Sequence, residues 1–376
     1  MATEIALAVA LLAGAGLMTR SFARLLSVDL GFDPGAVIAF NALPVGTDLD
    51  AQTQSYRDLL EAVRAVPGVA YAGAVDLFAL GDARINMAIT VNGRLEGAGV
   101  RQVLPGYFEA MGFRLRAGSF PGATGDDVAS AAVVNESAAR TLFGGDAVGG
   151  SMVVRKVPLT VVGVVADVHQ SGPMRGPTPE VFVPFVPVPP ERRSIVDKGL
   201  TIVVRPRPGA TNLMPALRAA AASIGPRAIV DEPRRGDAWL SDLVATPRHQ
   251  TTLVALLGVF GLALTLIGVF STTAYAVERR TQEIGVRMAL GADASNVVRT
   301  IVRDAGRPLG IGLAAGTVLA FYATRLVQSF LFQTTPHDPA TFAVAAGVLA
   351  LTAIAAALWP ARRAARIDPV AALRAE

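Results

Sequence analysis

The sequence contains no cysteine, two lysines (Lys156 and Lys198), three histidines and two tryptophans in 376 residues. Without cysteine there are no disulfides, no thiolate metal ligands and no cysteine nucleophile, and folding does not depend on an oxidising compartment. Charge is scarce too: 17% of residues are charged, against about 25% in an average soluble domain. That argues against a purely soluble, disordered or coiled-coil chain. The balance of 34 basic and 30 acidic residues, a formal +4, is too weak to mark a nucleic-acid binder. The histidines, His169, His249 and His337, lie far apart, and no His/Asp/Glu cluster has metal-ligand spacing. No G-x-S-x-G elbow occurs. The glycine-rich run from Gly144 to Ser151 lacks the lysine of a phosphate loop. The neighbouring carboxylates Asp126-Asp127 and Asp231-Glu232 read as solvated loop charges. No catalytic residue, metal site or cofactor site is expected.

What is present is apolar residue, 52% of the chain, gathered in long runs at the two ends. A membrane helix needs about 20 mostly apolar residues to cross about 30 Å of hydrocarbon. Four segments qualify: residues 4–22, 252–277, 308–332 and 340–360. The first reads better as an uncleaved helix than as a signal peptide, since its only early charge is Glu4 and it runs into Met18-Thr19-Arg20 rather than a small-residue cleavage site. Between the second and third spans, residues 278–307 carry Arg279, Arg280, Arg287, Arg299, Arg303 and Arg307, and the tail, 361–376, carries Arg362, Arg363, Arg366 and Arg374. The positive-inside rule makes both cytoplasmic. Parity then places the long segment 27–248 outside.

That outer segment reads as a folded α+β or α/β domain in two lobes. Tyr56–Val66 reads as a helix, with Leu59, Leu60, Val63 and Val66 at helical spacing and Pro67-Gly68 as its stop. Ala131–Asn135, Leu159–Val165, Val181–Phe185 and Thr201–Val204 read as strands; Glu136–Phe143, stopped by Gly144-Gly145, and Leu213–Ile224 read as helices. Pro184–Pro190 reads as a loop or extended connector.

The cytoplasmic loop carries the most information. Glu278–Leu290 reads as a helix leaving the membrane, with Gly291 as its stop. Ile284 and Met288 share a face, which Arg280 and Arg287 flank. Asp293 and Ser295 are candidate caps for a second helix, whose stripe is Val297, Val298, Ile301 and Val302 beside Arg299 and Arg303. Such a basic amphipathic element can rest on anionic headgroups. Gly285 in mid-helix costs about 1 kcal/mol and admits another surface closely. On residues alone, partner docking and lipid contact stand level.

The run Glu278-Arg279-Arg280-Thr281-Gln282-Glu283-Ile284-Gly285-Val286-Arg287-Met288-Ala289-Leu290-Gly291-Ala292 closely resembles the R-T-x-E-I-G-I/V-R-x-A-L-G-A signature of FtsX-like and MacB-like ABC transporter permeases. The resemblance extends over most of the chain. Leu104-Pro105-Gly106-Tyr107-Phe108-Glu109-Ala110-Met111-Gly112 resembles the V-S-P-x-Y-F-x-x-M-G segment of the MacB-like periplasmic core. Val133-Val134-Asn135-Glu136, Phe143-Gly144 and Val148-Gly149 resemble its V-I-N-E…F-G…P-I-G block, and Val162-Gly163-Val164-Val165-Ala166-Asp167-Val168 its V-G-V-V-x-D-V strand. Pro360 to Arg374 resembles the family's P-A-R-R-A…D-P-V-x-A-L-R tail. Ala147 and Gly150 replace that block's usual proline and lysine.

The resemblance implies a bacterial inner-membrane protein with four transmembrane helices and a large extracytoplasmic α+β domain, the MacB-like core, between helices 1 and 2. Residues 252–369 would form the FtsX-like permease domain. The first span resembles the opening of the second half of long duplicated orphan permeases, so the chain is expected to be a single half. Implied partners are a cytoplasmic ABC ATPase, which would bind the ATP, a second permease half or a homodimer copy, and membrane lipid. The residues expected to couple to the ATPase are Glu283, Ile284, Gly285, Arg287, Met288 and Gly291: Gly285 for close approach, Ile284 and Met288 to fill a groove, Glu283 and Arg287 to set register. Gly312 and Gly316, like Gly306 and Gly310, form small-xxx-small pairs, and Gly312 and Gly316 are the expected helix-packing residues. Two other functions stand beside transport. One is a non-transport regulator of wall hydrolases, against which the length of 27–248 argues. The other is an orphan membrane sensor without an ATPase.

Overall fold

A computed structural model describes residues 2–45, 48–80, 86–121, 130–170, 172–185, 199–280, 283, 294–325 and 328–364. The chain divides into two compact units, 28–245 and the flanking 1–27 with 246–376.

The unit 28–245 contains β1 (Ile38–Pro44), α2 (Leu49–Arg64), β2 (Val69–Val75), β3 (Asn86–Val91), β4 (Arg94–Leu104), α3 (Tyr107–Met111), β5 (Leu115–Gly118), β6 (Ala131–Asn135), α4 (Glu136–Phe143), β7 (Ser151–Val154), β8 (Val157–Val165), β9 (Glu180–Pro184), β10 (Leu200–Pro206), α5 (Leu213–Ala222), β11 (Ala228–Val230), β12 (Arg234–Arg235) and α6 (Gly236–Leu243); α1 (Ala2–Leu26) precedes it. Among the described residues the strands form one 12-stranded sheet. Its first part, β11-β1-β10-β2, is antiparallel. One face is covered by α2 and α5, whose Tyr56, Leu59, Leu60, Val63, Leu213 and Leu217 pack on Phe40, Ile202 and Val204. In its second part β4 pairs with both β3 and β9, and β9 pairs with β6, so β4, β3, β7, β8, β6 and β9 close into a ring. Ile89, Val91, Val100, Val134, Met152, Leu159 and Val181 belong to the core of that ring. A third cluster, with Tyr107, Phe108, Phe113 and Phe182 edge-on or tilted to one another, packs Val75 and Val203 of the layer against Val133 and Val165 of the ring.

Local chemistry accounts for the element ends. Asp48 caps α2 by accepting from the backbone N–H of Asp50 and Ala51 at 3.0 and 3.4 Å. Two-residue turns join β3 to β4 and β7 to β8, with positive φ at Asn92-Gly93 and at Arg155-Lys156. Both residues of a type I′ hairpin turn require that conformation.

The other unit contains α1, α7 (Ala245–Arg279), α8 (Ala294–Ala323) and α9 (Pro339–Ala364). α1 is its central helix. Gly258 and Gly261 of α7 lie against Ala15 and Leu11, and Gly268 lies against Glu4, so α7 runs antiparallel to α1. α8 runs parallel to α1, with Gly312 beside Ile5 and Gly316 beside Ala6 and Val9. The start of α9 meets the end of α1: Gly16 touches Thr341, and Arg20 pairs with Asp338. The hydroxyls of Thr265 and Thr273 donate to the carbonyls of Gly261 and Val269 at 2.9 and 2.7 Å, which satisfies them without water. Leu256, Phe260, Leu264 and Ile267 of α7, and Val344, Leu351 and Trp359 of α9, face outward, as suits hydrocarbon.

Among the described residues three helices are long and apolar enough to cross a membrane: Ala2–Leu26, Ala245–Arg279 and Pro339–Arg363. The expected third span, 308–332, is not a helix of that length. α8 begins at Ala294, inside the expected loop, contains Pro308 in its interior and ends at Ala323. Its apolar stretch from Leu309 covers roughly 22 Å at 1.5 Å per residue, short of the hydrocarbon thickness. The end is set where Arg325 folds back over the rings of Phe321 and Tyr322, at 5.6 Å from each, and its N–H bonds the Tyr322 carbonyl at 3.2 Å.

Candidate functional site

Of the six expected coupling residues, Glu283 is helical and exposed. Ile284, Gly285, Arg287, Met288 and Gly291 lie outside the described residues, as do Asp293 and the tail beyond Ala364. The elements that bracket them are well defined. The guanidinium of Arg279, the last residue of α7, stands 5.3 Å over the Tyr275 ring. Arg280 Nη1 meets Asp304 Oδ2 of α8 at 2.8 Å, both side chains about half exposed. This pair ties the end of α7 to α8 three turns after α8 begins. Ser295, a cap candidate, is instead in the first turn of α8. Val298, Ile301 and Val302 are half-buried while Arg299 and Arg303 are exposed. The stripe continues through Leu309, Gly312 and Gly316 onto α1.

The two glycine pairs of α8 differ. A Cβ at Gly312 would lie 2.7 Å from Ile5 Cβ, and one at Gly316 2.8 Å from Ala6 Cα and Val9 Cβ. At Gly306 and Gly310 nothing among the described residues lies within 4 Å.

In the other unit the motif residues build structure. Asn135 caps α4 through Ala138 N at 2.9 Å, accepts from Glu180 N at 2.9 Å and donates to the Thr178 carbonyl at 2.8 Å. Glu136 accepts from Asp167 N, and Asp167 accepts from the Ser137 backbone and hydroxyl at 2.7 Å. Gly106, at φ 88°, lets Tyr107 start α3 directly against Gly73. The glycine-rich Gly144–Ser151 turn spends its N–H groups internally: Gly149 on Val161 and Gly150 on Ala147. Asp231 accepts from Asn41 and Glu232 pairs with Arg218; Asp126 and Asp127 lie outside the described residues. Among the described residues no group of three or more His, Cys, Asp or Glu could hold a metal.

One cluster escaped the sequence reading. Arg101, from β4, is 2% exposed and its Nε donates to Glu180 Oε2 of β9 at 3.2 Å. Around them sit Asp76, Tyr107 and Gln170. Burial pushes the Asp76 carboxyl up to about 6, against weaker lowering by the Gln102 and Leu77 backbone and by Arg101; burial likewise pushes the Tyr107 phenol up. Its members come from separate segments, and their only sequence signal is a lone charge in each apolar strand pattern.

The family profile of the MacB-like periplasmic core domain matches residues 5–222, and that of the FtsX-like permease C-terminal region matches residues 255–369. The macrolide export ATP-binding/permease protein MacB of Rhodospirillum rubrum is 31% identical over 394 residues, which cover 95% of this chain and 58% of that protein. The protein of the same name from Burkholderia cenocepacia is 30% identical over 279 residues, 71% of this chain and 40% of that one. The chain thus spans about half the length of the curated relatives it matches. The crystal structure of the periplasmic region of MacB from Actinobacillus actinomycetemcomitans aligns with 57% of this chain and 94% of its own, at 18% identity and a TM-score of 0.37. With a periplasmic-type core joined to apolar membrane helices and both profiles matched in order, this membrane protein belongs to the family of MacB-like, FtsX-like ABC transporter permeases.

Proposed function

We propose that the chain is the permease subunit of a MacB-like ABC transporter, passing motion from a separate cytoplasmic ABC ATPase to its outer domain for efflux or export. ATP is bound and hydrolysed by that partner, and this chain holds no cofactor of its own. The observation that carries the reading is the E-I-G-V-R-M-A-L-G-A run of residues 283–292, set between α7 and α8 within the matched permease region. Glu283, Ile284, Gly285, Arg287, Met288 and Gly291 dock on the ATPase. The Arg280–Asp304 pair supports this reading, because a load on the loop passes to both helices.

The chain crosses the bacterial inner membrane four times. Supporting this, Gly312 of α8 lies at the level of Ile5, while the N–H of Phe332 bonds the Ser21 hydroxyl at 2.7 Å. These two contacts place Gly312 and Phe332 near opposite ends of α1, and Gln328–Phe330 forms a 3-10 turn just before the second. Alternation of the helices puts Arg279, Arg280, Arg362 and Arg363 at one end, which is cytoplasmic by charge. A second permease half or a second copy completes the transporter.

Since the chain has no cysteine, Glu283→Cys creates a unique thiol. A membrane-impermeant maleimide should label it in inside-out vesicles but not in right-side-out ones, and a bound MacB-type ATPase should protect it. Labelling from the outside, or undiminished labelling in the complex, would refute the assignment.

A further inference from the structure

The layer and the ring of the outer unit are joined by a short seam. β2 and β4 pair at two positions, Ala74 with Leu104 and Val75 with Val103. One more bond, from Asp76 N to the Gln102 carbonyl at 3.0 Å, extends it. The Asp76 side chain lies at the end of this seam, and its Oδ1 is buried without a hydrogen-bond partner among the described residues.

Charged and titratable groups face it from each neighbouring element. β4 supplies Arg101, the β7–β8 turn supplies Arg155, and α3 supplies the Tyr107 hydroxyl, which Glu180 of β9 also faces. Glu109, also on α3, keeps one carboxylate oxygen buried and unpartnered. Arg101 is already engaged by Glu180. The Gln170 side chain faces the Tyr107 hydroxyl, yet that hydroxyl, both Gln170 amide atoms and Arg101 Nη1 are buried with no partner in hydrogen-bond geometry among the described residues. Tyr107 is 0%, Arg101 2% and Gln170 5% exposed. Buried Glu180 and half-buried Asp76 thus share the buried Arg101 guanidinium, and among these three groups one proton balances the charge.

We propose that Asp76 is a proton-binding site at this seam, and that its occupancy sets how firmly the helix-covered layer is held to the strand ring. With the proton bound, the cluster is neutral and Asp76 offers an O–H donor where the Tyr107 and Gln170 oxygens lack one. With the proton released to solvent, a second negative charge sits in a low-dielectric interior beside Glu180, which is costly. The carboxyl, pushed up by burial to about 6, changes over between pH 5 and 7. Its value in the closed seam is raised, so the seam is tightest at low pH and loosens as pH rises through about 6.

The test is hydrogen exchange by mass spectrometry on the full chain in lipid discs, read at residues 72–76 and 100–104 and corrected for intrinsic rates. Taking an opened seam to restore the ordinary carboxylate value, opening should rise about tenfold from pH 5 to pH 7.5. Asp76→Asn, which resembles the protonated side chain, should hold the low-pH protection throughout. Glu180→Gln removes the carboxylate that engages Arg101, leaves the guanidinium to Asp76, and should move the midpoint to lower pH. A wild-type seam indifferent to pH, or an unchanged dependence in Asp76→Asn, overturns the proposal. Should Asp76→Asn fail to fold, an unmoved midpoint in Glu180→Gln overturns it as well.

Discussion

Gly316 gives the sharpest test of the packing around α1. A leucine there would place its Cβ 2.8 Å from Ala6 Cα and Val9 Cβ and 2.9 Å from the Ala6 carbonyl oxygen. Carbon atoms prefer about 3.5–4.0 Å, so α8 must back away from α1 by roughly 1 Å. The obstructing atoms are backbone and Cβ, which cannot rotate aside. Overpacking of this kind costs about 1–3 kcal/mol, and a leucine belongs at the upper end. Removing a helical glycine returns up to about 1 kcal/mol, leaving a net loss of about 2 kcal/mol. That corresponds to a fall in Tm of roughly 4–8 °C. Gly310, two turns nearer the loop, has nothing among the described residues within 4 Å, so Gly310→Leu should be neutral or stabilising. Thermal unfolding of both variants in the same lipid discs compares them directly. A Gly316→Leu chain no less stable than Gly310→Leu would refute the packing argument.

Further outcomes follow from the same contacts. Asn135→Ala strips the α4 cap and the bonds to Thr178 and Glu180 from a buried site, and should cost about 3 kcal/mol, read by denaturant unfolding followed through Trp239 fluorescence. Glu180→Ala leaves Arg101 charged and buried and should cost about 3–5 kcal/mol in the same assay. Asp338→Ala removes the cap that accepts from Thr341 N at 3.0 Å together with the Arg20 partner, and should cost about 1–2 kcal/mol, seen as a lower Tm in discs. Asp304→Ala breaks only an exposed pair with Arg280 and should change stability by less than about 1 kcal/mol; a larger drop in the same melt would mean the pair bears more than its exposure indicates.

The sequence reads best where local chemistry decides. Glu136–Phe143 is a helix as expected, because Asn135 caps it and Gly144 takes the left-handed conformation that ends it. α2 starts seven residues before Tyr56, since Gln52 and Ser55 are buried although polar and break the apolar pattern. β1 and β2 escape notice for a similar reason: Asn41 interrupts one, and Ala-Gly-Ala dilutes the other. The ring is closed by pairing Gly99–Val103 with Glu180–Pro184, a contact between distant segments that no local pattern announces. The expected span 308–332 runs past the helix because apolar residues beyond Ala323 count in a hydropathy sum but do not continue α8. The coupling run was legible as a motif, whereas the Asp76 cluster exists only once β2, β4, α3 and β9 have come together.

The central claim is that residues 283–292 transmit ATPase motion. The direct measurement is the ATPase rate of a MacB-type ATPase reconstituted with this chain in lipid discs, beside Gly285→Trp. The account predicts a stable complex whose ATPase is stimulated by the wild-type chain, and loss of that stimulation in Gly285→Trp with the chain still inserted and folded. Equal stimulation by both chains, or none by either in an intact complex, would contradict it.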